Sequence, residues 1–360
     1  MATQPCVKVL GGGVVGLTTA LVLRQSRYAV TVLAKDLPGQ AGNAQFASPS
    51  AGAHWRSWAD AADVRLQRFE ELTLARLFEL ARKHPECGIV PTRSFDYWEE
   101  IPQGGARVWF DKLVPEFRTL APEELVPNTK MGVTYKKIAI NVPVYLQWVY
   151  QQCIDAGVKV VRLDSYYSDV NGAFTHEPQH PTADIVVNCT GLGARTLGGV
   201  EDLDVYSVRG QWMLVRAPSV KDSINVTTKP GPVAMMTTII PRGDGTVFLG
   251  GSKESSSYDA TVNKATSDII WERCTSVCPE LVADYNAWNT QADKTEPFVL
   301  AEGAGLRPGR VGGPRVDMEP QDQDRYLIHN YGHAGYGYQT SWSCAWEVLA
   351  MVQGLLPAKE

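Results

Sequence analysis

Cys6-Val-Lys-Val-Leu10 is a short apolar run that meets three glycines, and residues 17–25 beyond them hold strong helix formers without a proline. This pattern predicts a strand, a glycine turn and a helix. A second apolar run, Val30-Thr-Val-Leu33, follows at the spacing of a βαβ unit. Between residues 56 and 84, Leu66, Phe69, Leu72, Leu77 and Leu80 recur roughly once per turn, which predicts an amphipathic helix or helix pair. From about 88 to 141 the chain becomes aromatic and proline-punctuated, with Tyr97, Trp98, Trp109, Phe110 and Phe117 in runs that suit antiparallel strands. Pro143 then opens a helix with Tyr145, Trp148, Val149 and Cys153 as its apolar positions, Gly157 closes it, and Val158-Lys-Val-Val161 is a strand. The strand Ala183-Asp-Ile-Val-Val-Asn-Cys189 runs into a second glycine turn, Thr190-Gly-Leu-Gly193. Residues 205–216, 235–240 and 246–251 read as antiparallel strands, the last two joined by Pro241-Arg-Gly-Asp-Gly245. A strand at Tyr326-Leu-Ile328 leads to a third glycine turn, ending at Gly337, and to a helix with Trp342, Ala345, Leu349 and Val352 in register.

A chain of 360 residues exceeds what one core holds, about 250–300 residues, so two lobes are expected. The α/β pattern resumes after the aromatic segment with no long linker, so the lobes should be interleaved. Lysine and arginine (34) against aspartate and glutamate (39) give a net charge of −5, which provides no global field for nucleic acid or an anionic membrane. Any anion must be held by a local site. No apolar run reaches the length of a membrane span and no basic leader precedes Cys6, so a soluble intracellular protein is expected. The seven cysteines are scattered, with Cys6, Cys153 and Cys189 inside apolar runs, so reduced buried thiols are expected. Cys274 and Cys278 lack the further ligands of a zinc site, and no metal is expected.

Gly11-Gly-Gly-Val-Val-Gly16 contains the spacing G-x-G-x-x-G after a strand and before a helix. Gly11 would make the turn, Gly13 would let a pyrophosphate approach the backbone, and Gly16 would let the helix close on the strand. The N–H groups at the helix start, at Val14 and Val15, would face the phosphates. Asp36, beside Lys35, stands where a ribose partner is expected; a solvated surface carboxylate is the alternative. A nicotinamide enzyme usually continues its βαβ units without interruption. The long insertion and the distant third glycine turn point instead to FAD.

Val9-Leu-Gly-Gly-Gly-Val-Val-Gly16, Phe46-Ala-Ser-Pro-Ser-Ala-Gly-Ala-His-Trp55, Asp184-Ile-Val-Val-Asn-Cys-Thr-Gly191, Val208-Arg-Gly-Gln211, Gly305-Leu-Arg-Pro308 and His329-Asn-Tyr-Gly-His-Ala-Gly-Tyr-Gly337 together resemble the D-amino acid oxidase and D-aspartate oxidase family of flavoenzymes. The resemblance runs through nearly the whole chain. It implies an α/β fold in which a Rossmann-like FAD-binding domain (1–56, 141–195 and 297–360) is interleaved with an α+β substrate domain on a mixed or antiparallel sheet (57–140 and 196–296). It implies oxidation of a D-amino acid by hydride transfer from Cα to flavin N5, with dioxygen as the second substrate. Because the cofactor carries the hard chemistry, no general base is required. Arg307 would hold the α-carboxylate through its fork, as the catalytic and substrate-binding arginine. Gly335 would take the substrate ammonium on its carbonyl, supported by Gln339. Further FAD contacts are expected at Ala47, Ser48, Ala51, Gly52, Thr190, Gly191, Gly193, Arg307, Ala334, Gly335, Tyr336, Gly337, Tyr338 and Gln339, and the helix beginning near Tyr338 would aim its positive end at the flavin. Family members commonly end in a Ser-Lys-Leu peroxisomal address, so the resemblance implies peroxisomal location; the chain ends Pro-Ala-Lys-Glu360. A homo-oligomer is the general prior.

Thr238 stands where the family usually carries a tyrosine before Ile-Ile-Pro, and Lys253 where neutral-substrate oxidases are often aromatic. With His54 in the flavin loop and Arg242 in the hairpin turn, these cations favour an acidic substrate, D-aspartate first. The bland alternatives are a solvated lysine, a structural histidine and a rim arginine. Neutral D-amino acids are the alternative substrates, a sarcosine or glycine oxidase relative is more remote, and a non-enzymatic NAD-sensing protein is more remote still.

Overall fold

A computed structural model describes residues 6–40, 43–102, 105, 107–175, 183–229, 234–291, 294–321 and 325–355. Along the first half of the chain run β1 (Cys6–Leu10), α1 (Val14–Gln25), β2 (Ala29–Ala34), α2 (Val64–Lys83), β3 (Ile89–Trp98), β4 (Arg118–Thr119), β5 (Met131–Ile140), α3 (Val142–Asp155) and β6 (Lys159–Arg162). Then follow α4 (Asn171–Thr175), β7 (Ile185–Asn188), β8 (Val205–Arg216), β9 (Ser223–Thr227), β10 (Ala234–Pro241), β11 (Thr246–Ser255), α5 (Lys264–Thr275), α6 (Pro279–Asn289), β12 (Val299–Arg310), β13 (Arg315–Pro320), β14 (Tyr326–Tyr331) and α7 (Gly337–Gly354). The chain divides into two compact units, Met1–Pro49 with Pro143–Ser207 and Arg307–Glu360, and Ser50–Val142 with Val208–Leu306.

In the first unit a six-stranded sheet has the order β13-β14-β7-β1-β2-β6. All neighbours pair in parallel except β13, which closes the edge antiparallel to β14. The order reverses between β1 and β7, and the carboxyl ends of those two strands are where open α/β sheets receive ligands. Leu10, Leu33, Val186 and Leu327 cover one face together with Phe174 and Leu197. Backbone crowding sets the turn after β1. Gly11 has φ +122°, and a Cβ there would lie 2.5 Å from the Cys189 carbonyl oxygen; one at Gly16 would lie 2.1 Å from that of Gly11.

The second unit carries an eight-stranded sheet, β12-β8-β11-β10-β9-β3-β5-β4. It is mixed, with β3 and β9 parallel while the pairs β8–β11, β11–β10, β10–β9, β3–β5 and β5–β4 are antiparallel. Met213, Val215, Ile239, Leu249 and Phe298 form its main core against Ile270, Cys274 and Leu281 of α5 and α6. Helix α2 starts at Val64, with Asp63 as its cap accepting from the Leu66 amide. Residues 56–63 are therefore not part of the helix expected over 56–84.

The unit boundaries also differ from the sequence-based division. Residues 50–56, 141–142 and 297–306 fall in the second unit because Trp55 donates its amide to Ile138, Ala53 accepts from Ile140, and Phe298 enters the second core. Residues 196–207 fall in the first, where Leu197 and Val205 are buried. All seven cysteines are free, and burial pushes the thiols of Cys153 and Cys189 up to about 12. No described helix is long and apolar enough to cross a membrane.

Gly16→Ala drives a Cβ into backbone that cannot rotate away. The expected loss is about 1–3 kcal/mol of unfolding free energy, read as a lower urea midpoint. An unchanged midpoint would show that the strand and helix have room to separate.

Candidate active site

Within the first unit, all three glycine turns meet. Gly11 abuts Cys189, and Gly191 lies 3.6 Å, measured from an added Cβ, from the Pro308 side chain. The Pro308 carbonyl accepts from the Ala334 amide at 2.8 Å, with Ala334 in the left-handed region at φ +45°. An added Cβ at Gly337 would touch Val15 and Val14 at 3.8 and 3.9 Å, so the starts of α1 and α7 adjoin. Ser48 ties them further: its hydroxyl accepts from the Val14 amide at 3.0 Å and its carbonyl accepts from the Tyr338 hydroxyl at 2.9 Å. Asn188 Oδ1 accepts from both the amide and the hydroxyl of Thr190, fixing the second turn, and Gly193 continues it by donating to the Thr190 carbonyl.

Neither α1 nor α7 has a side-chain cap or an acidic residue in its first turn. Two positive helix ends in one region favour an anionic group, as a pyrophosphate or a reduced flavin would supply. His333 stiffens the third turn, bridging Thr340 and Asn330 through its two ring nitrogens, and Tyr336 donates its amide to the His333 carbonyl. Gly335 is exposed and Gln339 is buried at 3%. At the end of β2, Asp36 accepts from the Tyr166 hydroxyl and from Asn43, and the Lys35 ammonium sits 4.5 Å from the Tyr166 ring centre. Asp36 is thus oriented by a tyrosine 130 residues away rather than left to solvent. Ala47 lies beside Ser48 in this region.

Arg307 lies near the end of β12 next to Pro308, which places it in the same unit as the three turns. It is partly buried, and that burial lowers its guanidinium to about 10, so it stays charged at neutral pH. A desolvated cation of this kind gains most from a carboxylate.

The second unit presents a loop of residues 51–58 fastened at many points. Arg242 is buried and donates from Nε and Nη2 to the carbonyls of Ala51 and Gly52, while its guanidinium lies 5.6 Å from the Phe248 ring centre. It braces the loop and is not a rim charge. Glu70 of α2, fully buried, accepts from the Ser57 hydroxyl and the Trp58 amide, and its carbonyl accepts from Trp55 Nε1. Arg56 reaches Asp96 of β3 at 3.5 Å and Thr227 at 2.5 Å. The His54 Nδ1 stands 3.0 Å from the Lys137 ammonium. Burial first, then Lys137 and Arg56, holds the His54 imidazole well below its usual range, so it is neutral.

Lys253 is exposed near the end of β11, its ammonium 5.0 Å from the Trp58 ring centre, and Arg56 lies 6.0 Å from the same ring. The β10–β11 register shifts between Met235 and Thr238 and the β11–β8 register between Gly250 and Glu254, so irregular pairing falls beside Thr238 and around Lys253. Such bulges re-aim side chains. Arg56, Trp58, Glu70, Asp96 and Lys137 went unnoticed in the sequence. The alternation Thr92, Ser94, Asp96 opposite Tyr135 and Lys137 was a visible signal of a polar face.

A glycine turn at a sheet reversal, feeding an uncapped helix and met by two distant turns, defines a dinucleotide-binding flavoprotein architecture. The family model described as DAO, FAD dependent oxidoreductase matches residues 7–351, and the chain belongs to this family of FAD-dependent oxidoreductases. It is 31% identical to a D-amino-acid oxidase of Fusarium vanettenii over 96% of both chains. It is 29% identical to a D-aspartate oxidase of Cryptococcus neoformans var. grubii over 97% of both. Among solved structures, glycine oxidase from Bacillus cereus superposes with a TM-score of 0.73 at 16% identity, covering 98% of this chain and 96% of that one.

Glu70→Ala removes the carboxylate that accepts from the Ser57 hydroxyl and the Trp58 amide. It is expected to cost about 1–3 kcal/mol of stability and to make the loop more sensitive to protease. Wild-type stability together with wild-type protease resistance would show that the loop is held by other contacts.

Proposed function

We propose that the protein is an FAD-dependent oxidase of D-amino acids and that it prefers a dicarboxylic substrate, D-aspartate first. The observation that carries this is the convergence of the three glycine turns with the Arg307–Pro308 segment in one unit. That convergence suits FAD: helix N-termini whose own N-cap residues supply no side-chain cap for the pyrophosphate and the flavin, and a partly buried arginine for a carboxylate. Bound FAD would supply the hydride acceptor and pass the electrons on to dioxygen. In balance, one D-amino acid, one dioxygen and one water give the 2-oxo acid, ammonia and hydrogen peroxide.

The residues of the chain then have limited tasks. Gly11, Gly13, Val14, Val15 and Gly16 hold the pyrophosphate, and Asp36, oriented by Tyr166, takes the ribose. Arg307 fixes the α-carboxylate, and the Gly335 carbonyl, supported by Gln339, takes the ammonium. These contacts set the α-C–H, and orientation of this kind supplies most of what the protein must add. Lys253 and His54 receive the distal carboxylate. Thr238 in place of a large aromatic leaves that end of the substrate less enclosed by apolar surface. The D-aspartate oxidase among the relatives supports this choice, whereas the D-amino-acid oxidase keeps neutral substrates as the second reading.

Oxygen uptake with D-aspartate and D-alanine separates the two readings: D-aspartate should give the higher kcat/KM, and a clear preference for D-alanine would overturn the acidic reading. Arg307→Ala should lower kcat/KM by about 2–4 kcal/mol, roughly 30- to 1000-fold, for every substrate. Lys253→Met should lower it about tenfold, ~1.4 kcal/mol, for D-aspartate while sparing D-alanine.

A further inference from the structure

One face of the second unit's sheet is polar where a core would ordinarily be apolar. Thr92, Ser94 and Asp96 alternate along β3, and the register sets Tyr135 opposite Ser94, Lys137 opposite Thr92 and Asn225 beside Asp96. Ser94, Tyr135, Lys137 and Asn225 are fully buried and Asp96 is 1% exposed. Buried polar groups at this density persist only when they satisfy one another.

Asp96 is the centre. Its Oδ1 accepts from the Ser94 hydroxyl and from Asn225 Nδ2, both at 2.7 Å, and its Oδ2 accepts from the Tyr135 hydroxyl at 2.8 Å and faces Arg56 Nε at 3.5 Å. Burial alone would raise its carboxyl; the charges of Lys137 and Arg56 and the bonds from Ser94 and Tyr135 outweigh that and hold it low. One carboxylate therefore serves two cations. Arg56 faces it directly, and the second cation, Lys137, directs its ammonium to His54 Nδ1. An ammonium has only donors, so the nitrogen it meets must be the one bearing a lone pair. The ring proton then belongs on Nε2.

We propose that Lys137 is a positioning residue that fixes His54 as the neutral Nε2–H tautomer and polarises it as a hydrogen-bond donor for the distal carboxylate of the substrate. The proposal rests on the dicarboxylate reading above for the identity of the anion, though not for the tautomer. The Lys137 ammonium lies against Nδ1, so its positive charge acts through the imidazole and the carboxylate meets a strengthened donor. Burial and Arg56 push the Lys137 ammonium down, against the pull of Asp96, to about 7. The charged groups facing it are Asp96 from β3 and Arg56 and His54 from the loop, with Tyr135 bonded to Asp96 on its own strand. Below about pH 7 the lysine donates and the tautomer is fixed; above it the neutral amine can accept from Nδ1–H and the preference relaxes.

The test uses the holoenzyme, with Lys137→Met and His54→Gln alone and combined. In wild type labelled with 15N-histidine, the His54 signals at pH 6 should show a protonated Nε2 and a bare Nδ1, and Lys137→Met should abolish that preference while the protein still binds FAD. Kinetically, Lys137→Met should raise KM for D-aspartate about tenfold with little change in kcat, leave D-alanine nearly unaffected, and flatten the fall in kcat/KM between pH 6 and 8. Combined with His54→Gln it should add nothing further. An Nδ1–H tautomer in wild type, or equal losses with both substrates, would overturn the proposal and leave Lys137 a structural residue. A wild-type enzyme that prefers D-alanine would overturn the dicarboxylate reading while the tautomer measurement still decides the role of Lys137.

Discussion

No atom larger than hydrogen fits on the inward side of Gly11 or Gly16, and the first unit is organised around that contact. The end of β1, the end of β7 and the first turn of α1 are in backbone contact there, which leaves α1 only one approach to the sheet. Its N-terminus is thereby fixed at the reversal of strand order, with no side chain at its own N-cap, Gly13, and the Ser48 hydroxyl accepting from its first amide. Segments far along the chain are referred to the same point. The carbonyl of Pro308 holds Ala334, and Gly337 rests near Val14 and Val15, so α7 presents a second uncapped end beside the first. Preorganised donors of this sort act because they need not rearrange when an anion arrives.

The second unit solves a different problem. Residues 51–58 have no regular secondary structure, apart from a bridge at His54, so backbone hydrogen bonding alone does not order them. Apolar contact with Ile240 and Phe248 fixes the Gly52 end. The remainder is held by charge: Arg242 on two carbonyls, Glu70 on Ser57 and Trp58, and Asp96 on Arg56. Directional bonds specify rotamers that dispersion contacts would leave free, at the cost of desolvating four charged groups, Arg242, Glu70, Asp96 and Arg56.

These differences explain what the sequence could and could not disclose. The βαβ start, α3, β7, β8 and α7 are written in local periodicity and glycine placement, and they are legible for that reason. Asp63 before Val64 was a legible cap, yet apolar spacing drew the expected helix back to residue 56, since the tertiary partners that hold Arg56 and Trp58 cannot be read from spacing. Arg242 showed a charge and concealed what it serves, the carbonyls of a loop 190 residues earlier. Asp36 was legible by its distance from Gly16, whereas its partner Tyr166 was not. The polar alternation along β3 and β5 was on view, but the aromatic residues flanking Asp96, Phe95 and Tyr97, gave the segment the look of an ordinary strand.

Burial lowers the Lys137 ammonium, and the sign of its linkage shows why a structural role alone explains it poorly. Its folded value, about 7, lies below that of a free lysine, so the unfolded chain binds more protons between about pH 7 and 10 and stability rises across that interval. Below about pH 7 the full penalty of burying the ammonium is present. Asp96 would remain satisfied by Ser94, Asn225, Tyr135 and Arg56 if position 137 were apolar, and a methionine of similar reach would fill the space without the penalty. A second buried cation is therefore unnecessary for holding the loop. What it alone provides is a donor to the Nδ1 side of His54, and in a chain carrying a net charge of −5 any attraction for the proposed dicarboxylic substrate would have to come from such local arrangements.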